Sequence, residues 1–449
     1  MTHTDLEAIL GKVRASLEAD DLTGAVAALE ALRAPDQADL FYELDDRHQS
    51  ALLPHLDPED SADILEELED EDAARIVASL PNDAAVRIID EMEPDEAADL
   101  LIELEPAQQA YMLSQLEDAD EVRPLLLHPE DTAGGLMTSE FLALRRRMTA
   151  GDAIAALRTW KPDVEDIYDV YVVDQFGKLA GVVDIRSLLR AEPSALLMDL
   201  ADPEVVSVPV GADQEEVARL MSRYDLTTLP VVDTQGVMLG VITIDDAIDV
   251  IEEETTADFH RLGASVPLDK PYLVADAFTI FRKRIGWLLM LFLTGTLTGS
   301  VINHFQYQLD AVLALSLFIP LLIGTGGNAG SQTTSTIIRA LAVGDIDEND
   351  LVRPFIQELT VGVVLGLVMA VVAYFRAVTW DTGQGVADTV AVAIFAIVVW
   401  ANGLGSILPI IVKKVGMDPT VVSGPAMSTL VDTTGLLIYF SIAGLLLAL

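Results

Sequence analysis

Between Leu56 and Leu116 an apolar residue returns at every twelfth position: Leu56, Leu68, Leu80, Met92, Leu104 and Leu116. Two more columns keep that step: Ile64, Ile76, Ile88, Leu100 and Met112, and next to it Leu65, Val77, Ile89, Leu101 and Leu113. Pro58, Pro81, Pro94 and Pro106 fall near the unit starts, where proline fits the first turn of a helix. Acidic residues follow, as in "PEDSADILEEL" and "PDEAADLLIEL", complementing a helix N-terminus. Each unit predicts a short helix that cannot bury its apolar face alone, and the stack predicts a small superhelix.

A second repeat has a step of 59. "YVVDQFGKLAGVVDIRSLL" from Tyr171 aligns with "PVVDTQGVMLGVITIDDAI" from Pro230. Val172 and Val173 match Val231 and Val232, Gly181 matches Gly240, and Asp174 and Gly177 match Asp233 and Gly236, the residues of a hairpin turn. Helical patterns flank each copy. This strand–turn–strand–helix unit, present twice, resembles a tandem pair of cystathionine-β-synthase (CBS) modules, which regulate neighbouring domains. From Asp246 to Arg261 the pattern becomes helical and acidic, then passes Pro267 and Pro271, as expected of a connecting helix.

Beyond it the chain is apolar in five stretches, roughly 285–305, 312–338, 355–375, 389–412 and 420–448, each long enough to cross a bilayer. Composition divides at the same place. The chain of 449 residues has a net charge of −45, almost all of it before residue 282. An acidic soluble part is joined to a nearly neutral membrane part. Arg282, Lys283, Arg284, Arg339, Arg353, Lys413 and Lys414 collect on one side of the spans, with only Arg376 on the other. The positive-inside rule puts the N-terminal part in the cytosol, and five spans put the C-terminus outside the cell (inner) membrane. The acidity excludes nucleic acid as a partner. A solvated coat, as in adaptation to salt, and cation binding both account for it. There is no cysteine, hence no disulfide or thiolate site. The six histidines show no ligand spacing, and "MTHTDLEAIL" is not a secretory signal.

The second span contains "GTGGNAGSQTTST". Backbone at membrane depth must be satisfied internally unless it faces protein or water. Gly324, Gly326 and Gly327, with Asn328 and Gln332, read as the lining of a solute pathway rather than as helix packing alone. The fifth span offers Gly424 and, twelve residues past Thr420, Asp432, ~18 Å along a helix and near the bilayer midplane. A carboxylate at that depth is a functional candidate by default. Asn402 in the fourth span is a candidate for the same lining. Glu358 is the other acid within a span.

"PLLIGTGGNAGSQ" and "DPTVVSGPAMSTLVDTTG", behind a CBS pair and an acidic helical repeat, resemble the MgtE family of magnesium channels and transporters over nearly the whole chain. The resemblance implies a multidomain fold: an all-α superhelical N-terminal domain (1–130), an α+β tandem CBS pair (131–250), a connecting (plug) helix (251–280) and a five-helix transmembrane domain (281–449). It implies a homodimer with a pore on its two-fold axis, lined by the second and fifth spans, where Asp432 binds Mg2+. It also implies cytosolic Mg2+ that holds the pore closed. The ligand candidates are Glu59, Asp90, Glu91, Glu215, Glu216, Asp225, Asp246, Asp249, Glu254, Asp258 and Asp418. Ala257 stands where the family often has an acid. CBS pairs often bind adenosine nucleotides. Thr243 and Asp246 fit a ribose and phosphate pattern, and Arg186 could meet a phosphate, which makes ATP a candidate ligand. The rival readings are an ion-coupled secondary transporter of another divalent cation or small solute and, more distantly, an intramembrane aspartyl protease. The chain is otherwise not expected to be an enzyme.

Overall fold

A computed structural model describes residues 3–160, 169–268, 272, 275–347 and 349–449. Pro271, assigned above to the connecting segment, lies outside them. The chain forms two compact units, Met1–Glu253 and Glu254–Leu449.

The first unit begins with α1 (His3–Glu18), α2 (Leu22–Leu29), α3 (Ala34–Tyr42), α4 (Asp46–Leu52), α5 (Pro58–Glu66), α6 (Asp70–Ser79), α7 (Asn82–Ile89), α8 (Pro94–Glu103), α9 (Pro106–Leu113) and α10 (Ala119–Leu125). Helices α5 to α9 start at 58, 70, 82, 94 and 106, the twelve-residue step read from the apolar columns. Pro58, Pro94 and Pro106 occupy the first turn, and Pro81 caps α7. The column residues are buried, apart from Leu113, which is half-buried. Each helix packs on the next but one: α5 on α7, α6 on α8, α7 on α9. The true repeat is therefore two units long. Tyr42, Glu66 and Asp90, 24 apart, each accept a hydrogen bond from a backbone N–H 27 residues on, those of Glu69, Glu93 and Glu117, at 2.9, 2.8 and 2.9 Å. These bonds satisfy helix-start donors that lack an intrahelical partner.

The CBS part contributes β1 (Ala143–Arg145), α11 (Ala150–Thr159), β2 (Asp169–Val173), β3 (Leu179–Asp184), α12 (Ile185–Arg190) and α13 (Leu197–Leu200). The second copy gives β4 (Val208–Pro209), α14 (Gln214–Tyr224), β5 (Thr228–Val232), β6 (Met238–Thr243) and α15 (Ile244–Leu262). Each copy is a three-stranded sheet in which the first strand runs parallel to the second and the second antiparallel to the third. Both hairpins turn through a glycine at positive φ, Gly177 at 80° and Gly236 at 81°, a conformation that glycine adopts without strain. Asp174 and Asp233 accept backbone N–H bonds across these turns. A chain of hydroxyls joins the copies: Tyr171 Oη donates to Thr228 Oγ1, which donates to Asp169 Oδ2. The second copy shares one apolar core with the helical repeat, through Val208, Val217, Met221, Val231 and Ala247.

The unit boundary falls within α15. The connecting helix thus starts earlier than residue 251, because Thr243 and Asp246 bond across its first turn, and ends at Leu262, past which Ala264 takes φ 54°. The second unit has α16 (Ala277–His304), α17 (Gln306–Ala311), a 3-10 turn, then α18 (Ile319–Ala342), α19 (Val352–Thr379), α20 (Gln384–Lys414), a second 3-10 turn at Pro419–Val421, and α21 (Gly424–Leu447). Among the described residues five helices are long and apolar enough to span a membrane. α16 begins before residue 285 because Asp276 caps it, accepting from the N–H groups of Phe278 and Thr279.

Candidate functional site

Helix α18 keeps its glycines helical, and its faces differ. Gly326, Gly327, Gly330, Thr333 and Thr334 are buried. A Cβ on Gly326 would stand 2.5 Å from Ile397 Cγ2, and one on Gly327 3.1 Å from Ser428 Oγ. Asn402 is 1% exposed. Gly326, Gly327 and Asn402, expected above to line a pathway, are buried between the helices of this unit. Small side chains and short polar ones let α18, α20 and α21 approach closely. Gly324, Asn328 and Gln332, spaced four apart, lie on the exposed face, a polar stripe that no helix among the described residues of this unit covers.

Against α18 runs α21. Ser331 Oγ donates to the Gly424 carbonyl at 3.0 Å and meets Ser428 Oγ at 3.3 Å. The pairing of 331 with 424 and 327 with 428 is antiparallel, so one further turn puts Asp432 level with Ile323 and Gly324. Asp432 is eight residues into α21, ~12 Å from Gly424 at helical rise. The count from Thr420 thus runs over more than one element, because Pro419–Val421 is a separate turn and the helix starts at Gly424.

The inner end of this helix pair carries a second group. Asp418 Oδ1 accepts from Thr420 N and Thr420 Oγ1 at 2.7 and 2.5 Å, while its Oδ2 meets Arg261 at 2.9 Å. Asp418, expected only as a cation ligand, is already a cap and half of an ion pair. Burial raises the Asp258 carboxyl above its ordinary range, as do Asp418 and Glu254, while Arg261 and Arg339 oppose the shift. Arg261 carried no signal in the sequence as a partner of Asp418, because the two lie more than 150 positions apart. Ala257 is buried. The Leu262 carbonyl oxygen lies 4.0 Å from the place of a Cβ on Gly424, so the end of α15 abuts the start of α21.

In the first unit the acids gather round Asp246. Burial pushes the Asp246 carboxyl to about 7, Asp245 adds to the shift, and bonds from Thr243 oppose it. Asp246 in turn raises Glu93, Asp95, Glu96 and Asp99, for each of which burial is the leading cause. Glu93 and Asp99 reach about 8 and Asp70 about 6. Asp95 is buried, and its Oδ1 has no hydrogen-bond partner among the described residues. Sequence reasoning passed over Glu93, Asp95, Glu96, Asp99 and Asp70. They look like ordinary helix-start acids until α8 packs them together. Asp90 is engaged as the helix stitch to Glu117. Glu59, Glu91, Glu215, Glu216, Asp225 and Asp249 lie on exposed surface, Glu254 is half-buried, and Asp225 ends α14 at φ 52°. Among the described residues no three His, Cys, Asp or Glu groups converge closely enough to hold an ion as they stand. All-carboxylate oxygen donors are the chemistry that suits Mg2+ or Ca2+. Arg186 is largely exposed and pairs with Asp184 at 3.3 Å.

A family model described as MgtE divalent cation transporter matches residues 319–442, one described as MgtE intracellular N domain matches 32–131, and the CBS domain matches 133–194 and 197–253. The magnesium transporter MgtE of Thermus thermophilus is 45% identical over 327 residues, 73% of this chain and 72% of its own. That of Enterococcus faecalis is 34% identical over 325 residues, 72% and 71%. Among solved structures, the cytosolic domain of the Mg2+ channel MgtE in complex with ATP aligns at 36% identity and a TM-score of 0.51, covering 54% of this chain and 99% of its own. With both membrane motifs, the CBS pair and the helical repeat in the same order along one chain, the protein is a multi-pass membrane protein that belongs to the MgtE family.

Proposed function

We propose that the chain moves Mg2+ across the membrane along the shared face of α18 and α21, and that Mg2+ bound to its acidic cytosolic groups closes the path. The observation that carries the first part is the uncovered stripe of Gly324, Asn328 and Gln332 at the level of Asp432. Polar surface at membrane depth has to face water or protein. A second copy related by a two-fold axis supplies the missing wall and a second Asp432. Mg2+ dehydrates reluctantly and keeps several waters while touching one or two carboxylates, which suits two aspartates facing each other across a hydrated path. The N-terminal unit is cytosolic, on the side of the Lys and Arg residues.

Gating follows from charge. Two unit charges 4 Å apart repel by roughly 4 kcal/mol at an effective dielectric of 20. A few such pairs supply the ~5.5 kcal/mol that swings a two-state gate from 1:99 to 99:1. Around Asp246 the Asp95 oxygen without a partner among the described residues gives an incoming cation a ready acceptor, and around Asp258 and Asp418 the end of α15 stands against the start of α21. For ATP, we assign the ribose contact to Thr243 and Asp246, which already bond each other.

The test is Mg2+ uptake into proteoliposomes holding the full chain. Uptake is expected in the wild type without a proton gradient and to fall at least about a hundredfold in Asp432→Asn, on the scale of a removed charge contact. Uptake that needs a proton gradient, or survives the substitution, rejects this reading in favour of a coupled transporter or another path. Closure is read as a fall in current on raising Mg2+ at the cytosolic face.

A further inference from the structure

Three polar side chains inside the membrane unit join three helices at one level. Thr333 on α18 is 4% exposed and Asn402 on α20 is 1% exposed. Thr333 Oγ1 stands 2.8 Å from Asn402 Oδ1 and 3.2 Å from Glu358 Oε2 on α19. Asn402 Nδ2 donates to the Val398 carbonyl at 2.8 Å. That bond decides which end of the amide faces Thr333: its oxygen does. A threonine hydroxyl has one hydrogen to give and lone pairs to receive. Both neighbours present oxygens, so the Thr333 hydroxyl is the donor to each, with Asn402 Oδ1 the shorter contact. Glu358 Oε2 accepts the weaker share of that hydrogen.

Glycines permit this approach. A Cβ on Gly362 would stand 2.9 Å from Asn402 Cβ, and one on Gly405 would stand 2.9 Å from the Gly330 carbonyl oxygen and 3.2 Å from Thr333 Cβ. The three groups therefore meet where glycines let the helices pack closely. Thr333 is turned into the bundle. At helical spacing the adjacent Gln332, and Asn328 one turn before it, are thereby held on the open face.

We propose that Glu358 is a positioning residue for the transport pathway. Through the hydrogen bond it accepts from Thr333, shared with Asn402, it fixes the rotation of α18 and hence the placement of Asn328 and Gln332. It acts as a hydrogen-bond acceptor that orients Thr333, not as a charge that attracts cations. The proposal deepens the magnesium-transport reading and rests on it for its functional consequence.

The experiment measures two things on the full-length chain: Mg2+ uptake in proteoliposomes and the thermal midpoint in detergent. Glu358→Gln, which keeps an acceptor oxygen and removes the acid, is expected to retain wild-type uptake, as is Thr333→Ser. Glu358→Ala and Thr333→Val are expected to lose about tenfold or more, the scale of a misplaced pathway group. The double substitution is expected to be no worse than either single one in both measurements, because partners in one hydrogen-bond network are not additive. Uptake as poor in Glu358→Gln as in Glu358→Ala overturns the proposal and makes Glu358 a cation-attracting charge. Additive losses in the double variant also overturn it. If the alanine and valine variants do not fold, Glu358→Gln decides alone: wild-type uptake upholds the proposal and a tenfold loss ends it. If the wild type itself takes up no Mg2+, the transport reading fails, and the thermal cycle still decides whether the brace exists.

Discussion

At the residue scale, several carboxylates that composition presents as one acidic coat do different work. Asp90 holds the Glu117 N–H and stitches one layer of the helical repeat to the next but one. Asp418 divides its oxygens between a turn and Arg261. Asp95 has a buried oxygen with no partner among the described residues. An acid held by a structural bond and an acid with a buried oxygen that lacks one respond oppositely to removal. Asp90→Ala is expected to destabilise the first unit by about 1 kcal/mol, the net worth of a typical hydrogen bond. The measurement is hydrogen exchange in peptides covering Glu117 and α10, where protection falls. Unchanged exchange there means the bond contributes nothing.

At the element scale, the glycines of α18 and α20 show why a span can be polar without being irregular. α18 is continuous from Ile319 to Ala342. Its small residues serve close packing on one side and leave a polar stripe on the other. Gly405 is the tightest test of the packing side, because a Cβ there would press on the backbone oxygen of Gly330 at 2.9 Å, which a rotamer change cannot relieve. Gly405→Ala is expected to cost about 1–3 kcal/mol, the range for overpacking, read as a lower thermal midpoint. Gly286→Ala on α16, where nothing lies within 4 Å, is expected to leave the midpoint unchanged. Equal midpoints for the two variants contradict the packing account.

At the scale of the whole molecule, the acids around Asp246 link stability to pH. Glu93 and Asp99 stand at about 8, Asp246 at about 7 and Asp70 at about 6 in the fold, against ordinary values near ~4. Groups raised by folding bind more protons folded than unfolded over that interval. Their contribution is complete below ~4 and is lost as pH rises through 6 to 8. The unfolding midpoint of the first unit is therefore expected to fall between about pH 5.5 and pH 8.5 in chelator, and Mg2+ is expected to restore it at the higher pH by taking the place of the protons. A midpoint that rises with pH, or ignores Mg2+, rules out this coupling. Asp95→Asn should flatten the pH slope, since it removes one of the mutually repelling groups.

Much of this architecture was legible in the order of residues. Periods of 12 and 59 predict repeats because each unit buries its apolar positions against its neighbours, and the register of the columns survives folding. Runs of twenty apolar residues predict spans because a bilayer leaves few other solutions. Asp432 was visible as a charge where charges are costly. The tertiary structure decided what depends on distant partners. The 24-residue stitch appears only when alternate helices stack. The companions of Asp246 appear only when α8 packs beside α15. The difference between Gly324 and Gly326, two positions apart in one motif, is a matter of which helix face meets Ile397 and Val431. Sequence sets which groups have to be hidden or hydrated, through local periodicity and the cost of burial. Contact across 25 to 157 positions assigns each group its partner, because only packing brings such residues within bonding distance.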